Sequence, residues 1–72
     1  MEEVREFVEG LVELEYELVS VEKKDSEPML IELVNVIDEI KKIGVKEITD
    51  TYIEGIEFTD NENTTIGVYA VC

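Results

Sequence analysis

The clearest pattern of apolar and polar positions lies between Pro28 and Gly44. Apolar residues recur every three or four positions, as on one face of an α-helix. This stripe consists of Met29, Leu33, Val36, Ile40 and Ile43. Pro28 suits the first turn of a helix, where its missing N–H costs nothing, and Gly44 suits the left-handed residue that ends one. The pattern therefore predicts a helix over residues 27–43.

Residues 8–24, VEGLVELEYELVSVEKK, fit two periods. In steps of three and four the apolar residues continue a helix, whereas in steps of two they alternate with glutamates as in a strand. A long helix would place Glu15 within its apolar arc and Gly10 in its interior, and both are unfavourable. A strand has a single slip of phase, which a bulge can absorb. We therefore favour a helix over 2–9 and a strand over 11–22.

The second half of the chain has the composition of a β-hairpin. Residues 45–58 and 64–72 are rich in β-branched and aromatic residues, and DNEN at 60–63 is typical of a turn. The elements together predict one small α+β domain over 1–72, with the order αβαββ. A helix joins the first two strands, so we expect them to run parallel, and the uncharged last strand suits the centre. The expected sheet is three-stranded and mixed, in the order 1-3-2; the alternative is a helical hairpin followed by a β-hairpin.

Charge is distributed unevenly along the chain, whose net charge is −13. Residues 1–22 hold eight acids and one base, for a net charge of −7. Residues 23–46 hold five acids and five lysines, and residues 47–72 hold six acids and no base. Nucleic acid and anionic membranes both attract basic proteins, so this chain is not expected to bind either directly. The charge instead favours a basic protein as partner.

The residues that most enzymes need are missing. The chain has no histidine and one cysteine, Cys72, so it lacks the usual base near neutral pH and cannot build a thiolate metal site. No glycine-rich phosphate loop is present, and DNEN lacks the spacing of a calcium loop. We expect no catalysis, no metal and no cofactor. The acidic opening MEEVREF and the lack of a long apolar run predict a cytoplasmic protein.

Candidate binding residues follow from the acidic ends of the chain. On a strand over 11–22, Glu13, Glu15 and Glu17 would project from one face, about 6.6–6.8 Å apart. A row of carboxylates at this spacing can imitate part of the phosphate backbone of DNA. Further acids on the hairpin add to the predicted site: Asp50, Glu54, Glu57, Asp60 and Glu62.

In size, acidity and mixed α/β content, the chain resembles the small, very acidic proteins that bacteriophages use against host defences. That group includes DNA mimics that block uracil-DNA glycosylase, restriction enzymes or CRISPR effectors. The resemblance implies a stoichiometric, non-catalytic inhibitor that occupies the basic cleft of a nucleic-acid-binding protein. It rests on no sequence motif, so it assigns no role to any residue.

Two other interpretations stay open on the sequence alone. One is a small homodimer that completes its core with a second copy, because the apolar stripes are wide for so short a chain. The apolar residues in apparent surplus are Val19, Val21, Tyr69 and Val71. The other is an acidic accessory subunit whose basic partner does not bind nucleic acid.

Overall fold

A computed structural model describes residues 2–72 and contains two helices and five strands. The helices are α1 (Glu2–Glu13) and α2 (Val36–Ile43), and a short 3-10 turn (Leu33–Asn35) leads into α2. The strands are β1 (Leu18–Lys23), β2 (Met29–Glu32), β3 (Glu47–Thr51), β4 (Gly55–Thr59) and β5 (Thr65–Val71). The α+β class is therefore confirmed, with two more strands than expected.

The strands form one sheet in the order β2-β1-β5-β4-β3, and every neighbouring pair is antiparallel. The uncharged β5 lies at the centre, as its composition indicated. The predicted order 1-3-2 matches the middle of the sheet, β1-β5-β4. The mixed sheet is wrong, because β1 and β4 run in the same direction but β5 lies between them, antiparallel to both.

The predicted helix over 27–43 is wrong in its first part. Met29–Glu32 pairs with β1, and the α-helix itself spans only Val36–Ile43. The segment MLIE has apolar residues at successive positions, so its pattern suits a strand as well as a helix. Pairing with β1 gives hydrogen-bond partners to a strand that would otherwise have a free edge. The end of α2 was predicted correctly: Gly44 has φ 89° and donates its N–H to the carbonyl of Ile40 at 2.9 Å.

The predicted strand over 11–22 is wrong in its first half, because α1 continues through Gly10 to Glu13. Three residues at helical spacing, Val4, Phe7 and Leu11, are buried, and their burial outweighs the roughly 1 kcal/mol cost of an interior glycine. Glu15 adopts φ 64° just beyond the helix, so it never occupies the apolar arc.

The alternative of a helical hairpin followed by a β-hairpin is also wrong, because the hairpin β1–β2 separates the two helices. The predicted strand over 45–58 is two strands, since the chain turns at residues 52–54 and Tyr52 donates its N–H to the carbonyl of Gly55 at 2.8 Å. The register between β3 and β4 slips between Ile48 and Asp50. The predicted strand over 64–72 is confirmed as β5.

Both helices pack on the same side of the sheet. The core between the helices and the sheet is formed by Val4, Phe7, Leu11, Val19, Val21, Leu33, Val36, Ile40, Ile56, Phe58, Ile66 and Val68. Val19 and Val21 are therefore buried within one copy and are not in surplus. No helix among residues 2–72 covers the opposite side of the sheet, which we call the outer sheet face.

Candidate functional site

The predicted row of three glutamates does not form. Glu13 lies in the last turn of α1, Glu15 in the following turn, and Glu17 in the link that leads to β1. All three are exposed, but they do not stand on one face of a strand, so the spacing inferred from the sequence is wrong. A contact between any one of them and a partner stays a prediction.

The outer sheet face gathers acids that lie far apart in the sequence. Residues paired across neighbouring strands point to the same side of a sheet, and successive residues alternate between sides. By this alternation the outer sheet face carries Glu22, Glu32, Glu47, Asp50 and Glu57. The same alternation turns Lys23 toward the helices. Lys46 precedes β3, and its Nζ donates a hydrogen bond to Asn63 in the β4–β5 turn, so this face has no basic strand residue between residues 2 and 72.

Three of these acids lie in one line across the sheet. Glu22 pairs with Gly67, Gly67 pairs with Glu57, and Glu57 pairs with Asp50. Neighbouring strands are about 4.8 Å apart, so Glu22 and Glu57 stand about 10 Å apart with a glycine between them. We call Glu22, Glu57 and Asp50 the transverse acidic row. It crosses four strands, whereas the sequence had suggested a row along one strand.

The ring of Tyr69 lies flat against the sheet beside this row. A Cβ atom added to Gly67 would meet the Tyr69 ring at 2.5 Å, and one added to Gly55 would meet it at 2.6 Å. Only glycine leaves room for the ring at these two positions. The hydroxyl of Tyr69 donates a hydrogen bond to Oε2 of Glu57. An aromatic ring and three carboxylates therefore share one helix-free surface.

Two of the three tyrosines of the chain donate hydrogen bonds to carboxylates. Tyr16 donates to Glu54, and this hydrogen bond is the main reason that its pKa rises to about 12. The hydrogen bond to Glu57, with burial, raises the pKa of Tyr69 to about 12. The pKa of Tyr52 is also raised, chiefly by the neighbouring carboxylate of Asp50. A carboxylate has about four acceptor sites, so each of these acids can still accept hydrogen bonds from a partner.

We expect ultraviolet absorbance to show two tyrosines that ionise near pH 12, above the ordinary pKa of 10.0. A raised pKa in the folded state means that the hydrogen bonds stabilise the fold below pH 10 and that this contribution is lost as the pH rises toward 12. In Glu57→Gln the pKa of Tyr69 should return toward 10.0, while that of Tyr16 stays high. In the matched control Glu54→Gln, the pKa of Tyr16 should return toward 10.0 while that of Tyr69 stays high. If each variant changed the pKa values of both tyrosines equally, these pairings would be contradicted.

Asp60, which the sequence placed in the binding site, is buried and supports the β4–β5 turn. Its Oδ1 accepts hydrogen bonds from the N–H groups of Glu62 and Thr64, both at 2.9 Å. Its Oδ2 lies 4.0 Å from Nζ of Lys23. The N–H of Thr64 contributes most to lowering the pKa of Asp60. We therefore assign Asp60 a structural role and omit it from the proposed surface, whereas Glu62 is exposed at the tip of the turn.

We expect Asp60→Ala to lower the melting temperature of the domain more than Asp60→Asn, because asparagine keeps the side-chain oxygen that accepts both N–H groups. The lowered pKa sets the pH dependence. The carboxylate stabilises the fold above the ordinary aspartate pKa of 3.8, and this contribution is lost as the pH falls through the lower pKa of the folded state. Thermal melts at neutral and acidic pH measure both effects. Equal melting temperatures for Asp60→Ala and the unmodified chain would contradict this role.

Within residues 2–72, no group of three or more histidine, cysteine, aspartate or glutamate side chains is arranged to hold a metal ion. Neither of the described helices has the length and apolar character needed to cross a membrane. The chain was also compared with known proteins. No family model, curated protein or solved structure matches it.

Proposed function

We propose that this chain is a non-catalytic binding protein that occupies the basic, nucleic-acid-binding surface of a partner protein. The observation that carries the proposal is the outer sheet face. In the described part of the chain, residues 2–72, this face has five acids and no basic strand residue, and the net charge of the chain is −13. A surface of one sign attracts a surface of the opposite sign and speeds their encounter. Proteins that bind nucleic acid present such basic surfaces to the phosphate backbone.

The transverse acidic row supplies the electrostatic part of this interaction. Arginine side chains of the partner bind carboxylates through two parallel hydrogen bonds, much as they bind phosphates. Tyr16 and Tyr69 each donate a hydrogen bond to an acid near the sheet, which restrains that carboxylate before a partner arrives. Restraint of this kind reduces the entropy that binding costs.

The Tyr69 ring supplies a flat apolar surface beside the charges. Single-stranded nucleic acids are bound by stacking of bases and by attraction of phosphates in the same groove. On the outer sheet face, the ring takes the place of a base and Glu22 and Glu57 take the place of phosphates. Glu54 lies in the β3–β4 turn and Glu62 in the β4–β5 turn, so both extend the acidic surface at its margin.

The proposal is tested by immobilising the chain, passing a bacterial lysate over it and eluting the retained proteins with duplex or single-stranded DNA. We expect nucleic-acid-binding proteins to be retained and then released by the DNA. Retained proteins that DNA does not release would indicate the acidic accessory subunit instead. A column on which the chain retains no more than an unrelated protein of similar net charge would contradict specific binding.

A further inference from the structure

The two edges of the sheet differ in how they are protected from pairing with other strands. Edge strands are usually protected by charge or by an irregular backbone. On one edge, β3 carries Glu47 and Asp50 and has a register slip against β4. On the other edge, β2 begins with three uncharged residues, keeps regular register with β1 and leaves the side chain of Leu30 62% exposed. The β2 edge is therefore open to another strand.

The pairing pattern shows which backbone groups of β2 face outward. Leu33 donates its N–H to the carbonyl of Glu17 at 2.8 Å, and hydrogen-bonded pairs alternate along an antiparallel ladder. Ile31 therefore bonds to β1, whereas the N–H and carbonyl of Leu30 and the N–H of Glu32 point away from the sheet. Backbone groups of this kind are what an added strand would pair with.

Charge favours a second copy of this chain at this edge. Residues 23–46, which include β2 and α2, have no net charge, whereas the rest of the chain is strongly acidic. A groove of about 470 Å³ runs along the edge and is lined by Met29, Leu30, Asp38, Glu39 and Lys42, among others. Within one copy, Nζ of Lys42 lies 3.8 Å from Oε2 of Glu39. Because Asp38 also precedes Lys42 along α2, an antiparallel copy places its lysine beside Asp38. The edge is therefore complementary to itself.

We propose that β2 pairs antiparallel with β2 of a second copy, about a two-fold axis near Leu30, to form one continuous ten-stranded sheet. The two Leu30 residues exchange both of their backbone hydrogen bonds. Glu32 donates its N–H to the carbonyl of Pro28 in the other copy. Pro28 has no N–H to return, and none is needed, because the carbonyl of Glu32 begins the 3-10 turn.

Side chains on both faces are covered in this dimer. The two Leu30 side chains meet on the outer sheet face, and Met29 of each copy lies against Ile31 of the other on the helix side. Two outer sheet faces then lie side by side on the same side of the dimer. The dimer does not depend on the proposed function, because the β2 edge and the transverse acidic row involve different residues.

Light scattering on a size-exclusion column, over a series of concentrations, tests the dimer. We expect the unmodified chain to approach about twice its mass of 8.2 kDa. Leu30→Glu places two like charges opposite each other and should raise the dissociation constant about tenfold or more. Ile53→Glu makes the same change at a residue that is 81% exposed in the β3–β4 turn, and should associate like the unmodified chain.

If circular dichroism shows that Leu30→Glu does not fold, a second pair of variants, with charges exchanged on α2, tests the dimer. Lys42→Asp should weaken the dimer, and adding Asp38→Lys to the same chain should restore it, since both residues are exposed and the exchange recreates the complementary pair. A chain that stays at 8.2 kDa at every concentration would overturn the proposal. The proposal would also be overturned if Leu30→Glu folds and associates as tightly as the unmodified chain, or if Lys42→Asp does so.

Discussion

Replacing the transverse acidic row by its amides, in the variant Glu22→Gln, Asp50→Asn and Glu57→Gln, should weaken binding to the basic partner about a hundredfold. Exposed ion pairs contribute up to about 1 kcal/mol each, so the loss of three amounts to about 3 kcal/mol, or roughly two powers of ten in affinity. Calorimetric titration of the purified partner measures this change. The remaining affinity should also depend less on salt, because fewer charges take part.

The matched control is Glu13→Gln with Glu15→Gln and Glu17→Gln, the three glutamates that the sequence placed in a row. This variant removes the same charge from exposed positions away from the outer sheet face. We expect it to lose less than about tenfold in affinity, through the reduced net charge alone. The opposite ranking of the two variants would show that the partner contacts the end of α1 and not the sheet.

The same triple substitution on the sheet should leave the fold intact, because relief of the repulsion between like charges offsets the weaker hydrogen bond between Tyr69 and residue 57. Circular dichroism and a thermal melt of each variant separate loss of binding from loss of structure. A sheet variant that unfolds would remove the basis for comparing affinities. In that case the pair Glu22→Gln with Asp50→Asn, which keeps the hydrogen bond between Tyr69 and Glu57, provides the comparison.

The largest effect on stability is expected from Phe58→Ala. Phe58 has no exposed surface and lies between Ile48 and Ile66 in the strand pairing, under the helices. Truncating a buried phenylalanine costs about 3–5 kcal/mol. A domain of 72 residues has a free energy of unfolding of about 4–11 kcal/mol, so this loss is a large part of the total.

Urea denaturation measures the effect of Phe58→Ala, with Ile53→Ala as control. Ile53 is 81% exposed in the β3–β4 turn, so its truncation should change the free energy of unfolding by less than about 0.5 kcal/mol. The midpoint for Phe58→Ala should fall sharply while the slope stays that of a cooperative transition. Equal midpoints for the two variants would contradict the packing of both helices over the inner face of the sheet.

Parts of the fold that depend on local sequence were predicted correctly. β5 is uncharged and β-branched and follows a clear turn, so both its bounds and its central position could be inferred. Gly44 likewise ends α2 where the sequence indicated. The class α+β follows from these elements, because one segment has helical period and another has strand composition.

The predictions of secondary structure are wrong where a segment fits both the helical and the strand period. In these segments, contacts with residues distant in the sequence determine the structure. Met29–Glu32 has apolar residues at successive positions, which suit a helix and a strand equally. It forms a strand because it pairs with β1. In α1, the burial of Phe7 and Leu11 against the sheet carries the helix through Gly10. Local propensity is a weak guide when tertiary packing opposes it.

The candidate site was predictable in charge but not in geometry. Acid counts along the chain indicate that both ends are acidic, whereas the transverse acidic row depends on the registers among four strands, which the sequence does not reveal. One local signal was available: Gly67 and Tyr69 are two residues apart and so share a face of β5. The position of Gly55 beneath the same ring required the pairing of β4 with β5.

Competition for the purified partner is the measurement that tests the central claim most directly. The partner is held at fixed concentration with labelled DNA, and this chain is added while bound DNA and the composition of the complexes are followed. Occupation of the nucleic-acid-binding surface predicts that the chain displaces all of the DNA, that no complex contains both, and that the displacement weakens as salt rises. A stable complex of the partner with DNA and this chain together would contradict the claim.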